Sequence, residues 1–173
     1  MDYPRFSTAD VADAAGVPAE TLRTWIKRGD ITLVTSEPDQ FTPGTGRNRL
    51  FTFKRTLSVV LTAELLRLGL AVKTASTLAT RFTDTGEAVG YWGDEEPDLS
   101  KTRRPGELFK DDQTIFVVRF PYNDDAPEAN VERLKEATKS PFWVGSRKFR
   151  SALFVNLDHM VEQVRGKLNV ISD

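Results

Sequence analysis

The sequence predicts an α+β fold in two parts, and three observations carry that prediction. First, two short amphipathic helices joined by a glycine-bearing turn open the chain, in "FSTADVADAAGVPAETLRTWIKRGD". Second, two β-type runs, "ITLV" and "LFTF", flank a polar stretch with a basic end, "TSEPDQFTPGTGRNR". Third, the composition changes near residue 83 to glycine, proline and charge before strand and helix patterns resume.

The elements follow in order. Ser7 with Asp10 three residues later makes a capping box with Asp in place of the usual Glu or Gln, and Val11, Ala14 and Ala15 follow at helical spacing. Gly16 can take positive φ and end that helix, and Val17 plugs the turn. Pro18 restricts the next helix start, and Glu20 in its first turn suits the helix dipole. This second helix runs to about Arg28 and is stopped by Gly29. The two β-type runs around the Gly/Pro-rich stretch form a wing with a basic tip. In "RTLSVVLTAELLRLGL" the positions Leu57, Val60, Leu61, Leu65 and Leu68 are spaced for a helix, and "AVKTASTLATRF" continues as a shorter one after a break at Gly69.

Residues 83–106 read as a linker or a long ordered excursion. Beyond them "TIFVVRF" is a strand of the nearly continuous apolar kind, and "PEANVERLKEAT" reads as a helix. "SPFWVGS" and "RSALFVNL" read as further strands, and "LDHMVEQVRGKL" as a closing helix with Leu157, Val161, Val164 and Leu168 on one face. The expected architecture is therefore an N-terminal winged helix-turn-helix over residues 1–82, the linker, and a small α+β domain over residues 107–173.

Composition narrows the function classes. With 39% hydrophobic and 28% charged residues in a chain of 173, the protein reads as globular, with room for one domain or two small ones. There is no run of about 18 apolar residues that would span a membrane, and "MDYPRFSTAD" lacks the basic start and apolar stretch of a signal peptide. The cysteine count is zero, which removes disulfides, thiolate nucleophiles and Cys-based metal sites and fits a cytoplasmic location. Net charge is −1, yet residues 47–81 hold seven basic side chains against the single acid Glu64, whereas residues 86–173 hold 13 basic and 16 acidic. A nucleic-acid partner needs local positive charge within a Debye length of roughly 8 to 10 Å, so a neutral total does not exclude one.

In a helix-turn-helix the second helix enters the major groove. Here Leu22, Trp25 and Ile26 form its inward stripe and leave Glu20, Thr21, Arg23, Thr24, Lys27 and Arg28 outward. The segment "FSTADVADAAGVPAETLRTWIKRGDI" resembles the opening of mercury-resistance-type (MerR-like) regulators, with a "T-L-R-x-W" segment in the second helix. "GTGRNRLFTFKRTLSVVLTAELLRLGLAVKTASTLA" resembles their wing and the two helices behind it. The resemblance covers roughly residues 5–82. It implies recognition-helix roles for Thr21, Arg23, Lys27 and Arg28, and wing contacts from Arg47, Asn48 and Arg49. Glu20 departs from the pattern, since that place is often basic, and Pro18 stands where a Ser or Thr cap is usual. The C-terminal half has neither a heptad-patterned dimerisation helix nor cysteine ligands, so the family's ligand-responsive activation is not implied.

Other motifs have plainer readings. "GTGRNR" lacks the Lys-Ser/Thr of a nucleotide loop. The lone His159 reads as a surface or partly buried helix residue, without a G-x-S-x-G nucleophile elbow. The acidic pairs Glu95–Glu96, Asp111–Asp112 and Asp124–Asp125 read as solvated loops rather than metal or carboxylate chemistry. Tyr91, Trp92, Phe142 and Trp143 read as core before interface. Arg147, Lys148 and Arg150 read either as a strand's basic outer face or as a second nucleic-acid patch. The expected function is sequence-specific binding of double-stranded DNA in a bacterial or phage transcriptional regulator, with no catalytic residue, metal or cofactor. Thr21, Arg23 and Lys27 would read bases, with Thr24 beside them in the DNA-binding set. Arg28, Arg47, Arg49, Lys54 and Arg55 would hold the backbone, with Asn48 in the wing near the phosphates or minor groove. A homodimer is expected because one such module buries little DNA surface. An excisionase-like or small-terminase-like accessory, and an adaptor docking a protein through the C-terminal domain, remain alternatives.

Overall fold

A computed structural model describes residues 5–31, 40–41, 49–86, 102–123, 125–144 and 146–170. The chain divides into two units, residues 1–80 with 160–173 and residues 81–159.

In the first unit the strand β1 (Arg5–Ser7) leads into α1 (Thr8–Ala15). The capping box is present: the Ser7 hydroxyl accepts from the Asp10 amide, and the Asp10 carboxylate accepts from the Ser7 amide at 2.8 Å. Gly16 ends the helix at φ +63°, and α2 (Ala19–Arg28) ends at Gly29 with φ +69°. The wing sheet has the order β1-β3-β2, antiparallel throughout, with β2 (Gln40–Phe41) and β3 (Arg49–Thr52). Two features differ from the sequence reading. Residues 5–7 form a strand as well as a cap, with Phe6 buried opposite Phe51. The outer strand lies at Gln40–Phe41, inside the stretch read as loop, while residues 32–39 and 42–48, the wing tip included, lie outside the described residues.

Thr52 caps α3 (Phe53–Arg67), its hydroxyl accepting from the Arg55 amide at 3.2 Å. The helix begins before Leu57, where periodicity first shows, because the cap and not the apolar stripe sets its start. Leu57, Val59, Leu61 and Leu65 are buried, and Leu68 is exposed at the C-cap. α1 packs on both α2 and α3. α4 (Val72–Thr83) follows the break at Gly69, with Ala75, Leu78 and Ala79 buried.

The second unit is built on an antiparallel sheet of order β5-β4-β7-β6. β4 (Thr114–Pro121) is central, which is why its run is apolar on both faces. β5 (Glu128–Arg133) replaces the helix expected there; the helix α5 is only Leu134–Lys139. Pairing with β4 from Thr114↔Arg133 to Arg119↔Glu128 overrides a weak helical pattern. α5 lays Ala137 and Leu134 on Ile115, Val117 and Ala152. β6 (Trp143–Val144) and β7 (Arg147–Asn156) close the sheet, and α6 (Leu157–Leu168) follows.

The unit boundaries differ from those read in composition. Residues 160–173 group with the first unit, so residues 107–173 do not form one body. Residues 102–106, at the end of the stretch read as a linker or a long ordered excursion, are tied down: buried Arg103 donates to the carbonyls of Phe82 at 3.0 Å and Thr85 at 2.5 Å, and Gly106 N–H donates to Phe82 O at 2.8 Å. A composition shift reports local polarity and is blind to an arginine that ties a loop to a distant helix end.

Candidate nucleic-acid interface

The outward face of α2 is set by what its inward face buries. Leu22 and Trp25 are buried, and Ile26 is half-buried. Glu20, Arg23, Lys27 and Arg28 are exposed, and Thr21 and Thr24 are half-buried. At spacings of three and four residues, Glu20, Arg23, Thr24, Lys27 and Arg28 fall on one face and line an open depression of about 370 Å³. Arg23 Nη1 donates to Glu20 Oε2 at 3.1 Å. Both side chains of this pair are exposed, where such a bridge is worth roughly 0 to 1 kcal/mol, so an anion can take the guanidinium at little cost.

The turn before α2 is held from behind. Val17 N–H donates to Ala12 O, and Gly16 N–H to Asp13 O, both at 3.0 Å. Arg67, in the last turn of α3, donates through Nη2 to Ala15 O at 2.5 Å and through Nη1 to Glu64 Oε2 at 2.7 Å. Lys167 Nζ donates to Asp13 O at 2.8 Å. Two cations therefore sit on the carbonyl end of α1, where the helix dipole favours positive charge. They fix the end of the helix that leads into the turn. Sequence reasoning missed this role for Arg67 and Lys167. Each acts on a residue far away in the chain, and no local pattern marks it.

The wing residues scatter. Arg49 opens β3 and is half-buried, and Lys54 is half-buried in the first turn of α3. Arg47 and Asn48 lie outside the described residues. Arg55 does not belong on an outer face: it is only 6% exposed, because the third residue of α3 points into the unit. Among the described residues the structure thus gathers Arg23, Thr24, Lys27 and Arg28 with Glu20. Thr21, Arg49 and Lys54 are not part of that lining, and Arg55 is withdrawn from solvent.

Residues 6–81 match the model of the MerR HTH family regulatory proteins. The match runs from β1 into α4, so the MerR-like region holds the turn, both helices beside it, the wing sheet and α3. No curated protein matches the chain. No helix among the described residues is long and apolar enough to cross a membrane.

Outside the MerR-like region the polar candidates have structural partners. Asp111 accepts from Arg133 Nε at 3.0 Å, a hydrogen bond that holds its carboxyl below the ordinary value of 3.8. Asp112 accepts from the backbone of Gln113 at 2.8 Å and of Lys135 at 3.3 Å. His159 is exposed on α6, its amide donating to Asn156 Oδ1 at 3.1 Å. Glu95, Glu96, Tyr91, Trp92 and Asp124 lie outside the described residues. Phe142 and Trp143 are not core: they are 46% and 49% exposed.

Proposed function

We propose that this chain is a sequence-specific double-stranded DNA-binding protein acting as a transcriptional regulator in the cytoplasm, with no catalytic role. The observation that carries the reading is the outward face of α2, where Arg23, Thr24, Lys27 and Arg28 line one depression on a MerR-like helix-turn-helix. Arg23 and Lys27 have the donors to take guanine O6 and N7, and Thr24 and Thr21 can reach base edges or the thymine methyl. Arg28, Arg49 and Lys54, with Arg47 and Asn48 at the wing tip, supply phosphate contacts that set register. Sequence-specific recognition resides in the first unit. Binding as a homodimer would double the contact surface and match a two-fold site.

Selection of bound sequences from a random duplex pool with the full-length protein tests this. One enriched motif, lost in Arg23→Ala/Lys27→Ala, is the expected result. A pool with no enrichment would sink the assignment. Head-to-tail repeats in place of a palindrome would move the reading to an excisionase-like or small-terminase-like accessory.

A further inference from the structure

The second unit carries its own cationic and aromatic element. The β6–β7 hairpin exposes Trp143 and Val144 on β6, with Phe142 just before it, and Arg147, Lys148 and Arg150 on β7. Phe142 O accepts from the Phe149 amide at 2.9 Å, and Trp143 pairs with Lys148, so the ribbon is a formed structure. Lys148 Nζ lies 4.5 Å over the Trp143 ring, which props the ammonium outward on an apolar base. Arg147 is paired with Glu128 at 2.5 Å. Among the described residues no carboxylate pairs with Lys148 or Arg150.

This surface needs an occupant. Large apolar side chains this exposed mark a binding surface when they cluster, and here they cluster with net positive charge. A second copy of the same hairpin is a poor occupant, since a two-fold contact would bring together two copies of one net-positive patch. A polyanion fits. A two-stranded ribbon is narrow enough for a DNA groove, and exposed apolar side chains beside cations are the means by which ribbons and arms engage a groove and its phosphates. We propose that the β6–β7 hairpin is a second DNA-contacting element. Lys148 and Arg150 touch phosphates without regard to sequence, and Trp143, which shares their face of the ribbon, packs into the groove. This rests on the DNA-binding reading only in that α2 brings duplex to the chain; once one unit is bound, the other meets DNA at a raised effective concentration.

The test is titration of the full-length protein against a fluorescein-labelled duplex of mixed sequence over a range of salt. Each phosphate contact contributes about 0.9 to the slope of log affinity against log salt. Lys148→Ala/Arg150→Ala should therefore flatten the slope by about 1.8. Between roughly 50 and 200 mM salt, the variant should then lose about ten-fold less affinity than the wild type. The charge-preserving Lys148→Arg/Arg150→Lys keeps the wild-type slope, which separates charge from folding, and Trp143→Ala weakens binding with the slope unchanged. A wild-type slope in the double alanine variant would overturn the inference and leave an acidic protein segment as the hairpin's partner. That outcome is distinct from failure of the α2 reading, in which Arg23→Ala/Lys27→Ala leaves sequence preference intact. If the wild type binds no duplex at any salt, both fall.

Discussion

Arg23 on α2 and Arg119 on β4 carry the same guanidinium into opposite surroundings. Arg23 is exposed and leans on the equally exposed Glu20. Arg119 is 2% exposed, forked onto both oxygens of Glu132 at 2.5 and 2.9 Å, with Nε donating to Pro141 O at 3.0 Å. Arg133 repeats the second pattern, bonded to Asp111 and lying 4.0 Å over the Phe109 ring. Arg103 is buried against backbone carbonyls. The first unit leaves the cations of α2 exposed, while the core of the second spends its arginines on internal acceptors. A count of basic residues therefore says little about binding until the partners of each are known.

Removing Arg119 should have the largest effect. Arg119→Ala leaves the half-buried Glu132 carboxylate and the Pro141 carbonyl without their donor, at a cost of about 3 kcal/mol in urea unfolding, the low end for a buried pair. Arg119→Met/Glu132→Leu should recover most of that loss. If Arg119→Ala unfolds at the wild-type urea concentration, the contrast between the units is wrong. Arg23→Ala should do the reverse. Stability stays within about 0.5 kcal/mol, as for an exposed site, while specific DNA affinity falls by about 1–3 kcal/mol, roughly 5- to 150-fold, with relaxed preference at one base pair. Unchanged affinity and site preference in a gel-shift titration would remove Arg23 from the reading face.

A smaller effect sharpens how the first unit aims its helix. Gly16 and Gly29 both have positive φ, and a side chain in that region costs roughly 1–2 kcal/mol. At Gly16 an added Cβ would also lie 2.8 Å from Arg67 Nη2, whereas nothing lies within 4 Å at Gly29. Gly16→Ala should therefore be the more destabilising of the two. It alone should reduce DNA affinity, by pushing Arg67 off Ala15 O. Equal melting temperatures for Gly16→Ala and Gly29→Ala would show that Arg67 yields freely.

Local signals made most of the first unit legible. The Ser7–Asp10 box, the two glycine stops and the Leu22/Trp25 stripe each act within four residues, and each is found where the pattern puts it. What failed was non-local. β5 has a sequence compatible with a helix and becomes a strand only because β4 lies beside it. Arg55 has the composition of a phosphate contact, but helix phase turns it inward. Phe142 and Trp143 read as core because they are large and apolar, and an edge hairpin leaves them exposed. Lys167 acts on Asp13 across nearly the whole chain. The candidate site was legible on α2, where the helical period alone sorts inward from outward. It was not legible where a cation's role depends on what packs beside it.

Asp111 gives the smallest test and the one with a definite sign. Arg133 donates to both of its oxygens, at 3.0 and 3.3 Å, and this hydrogen bond, with the positive charges of Arg133 and Lys135, outweighs desolvation and lowers the carboxyl below its ordinary 3.8. A carboxylate whose folded value lies below its unfolded one binds its proton more readily when unfolded. Its contribution is then fully present above the unfolded value and is lost as pH falls through the folded one. Asp111→Asn keeps an oxygen for Arg133 and removes only the charge. The wild type should thus unfold at a higher urea concentration than Asp111→Asn at about pH 6, and the gap should shrink as pH falls below about 4 and the folded carboxyl takes up its proton. Asp111 is exposed although Arg133 is buried, so the gap is narrow, and added salt should narrow it further. Because this acid belongs to the arginines turned inward, the variant should bind DNA as the wild type does at every salt concentration. A gap that stays constant from about pH 6 to about pH 3 would mean that the ion pair does not contribute to folding.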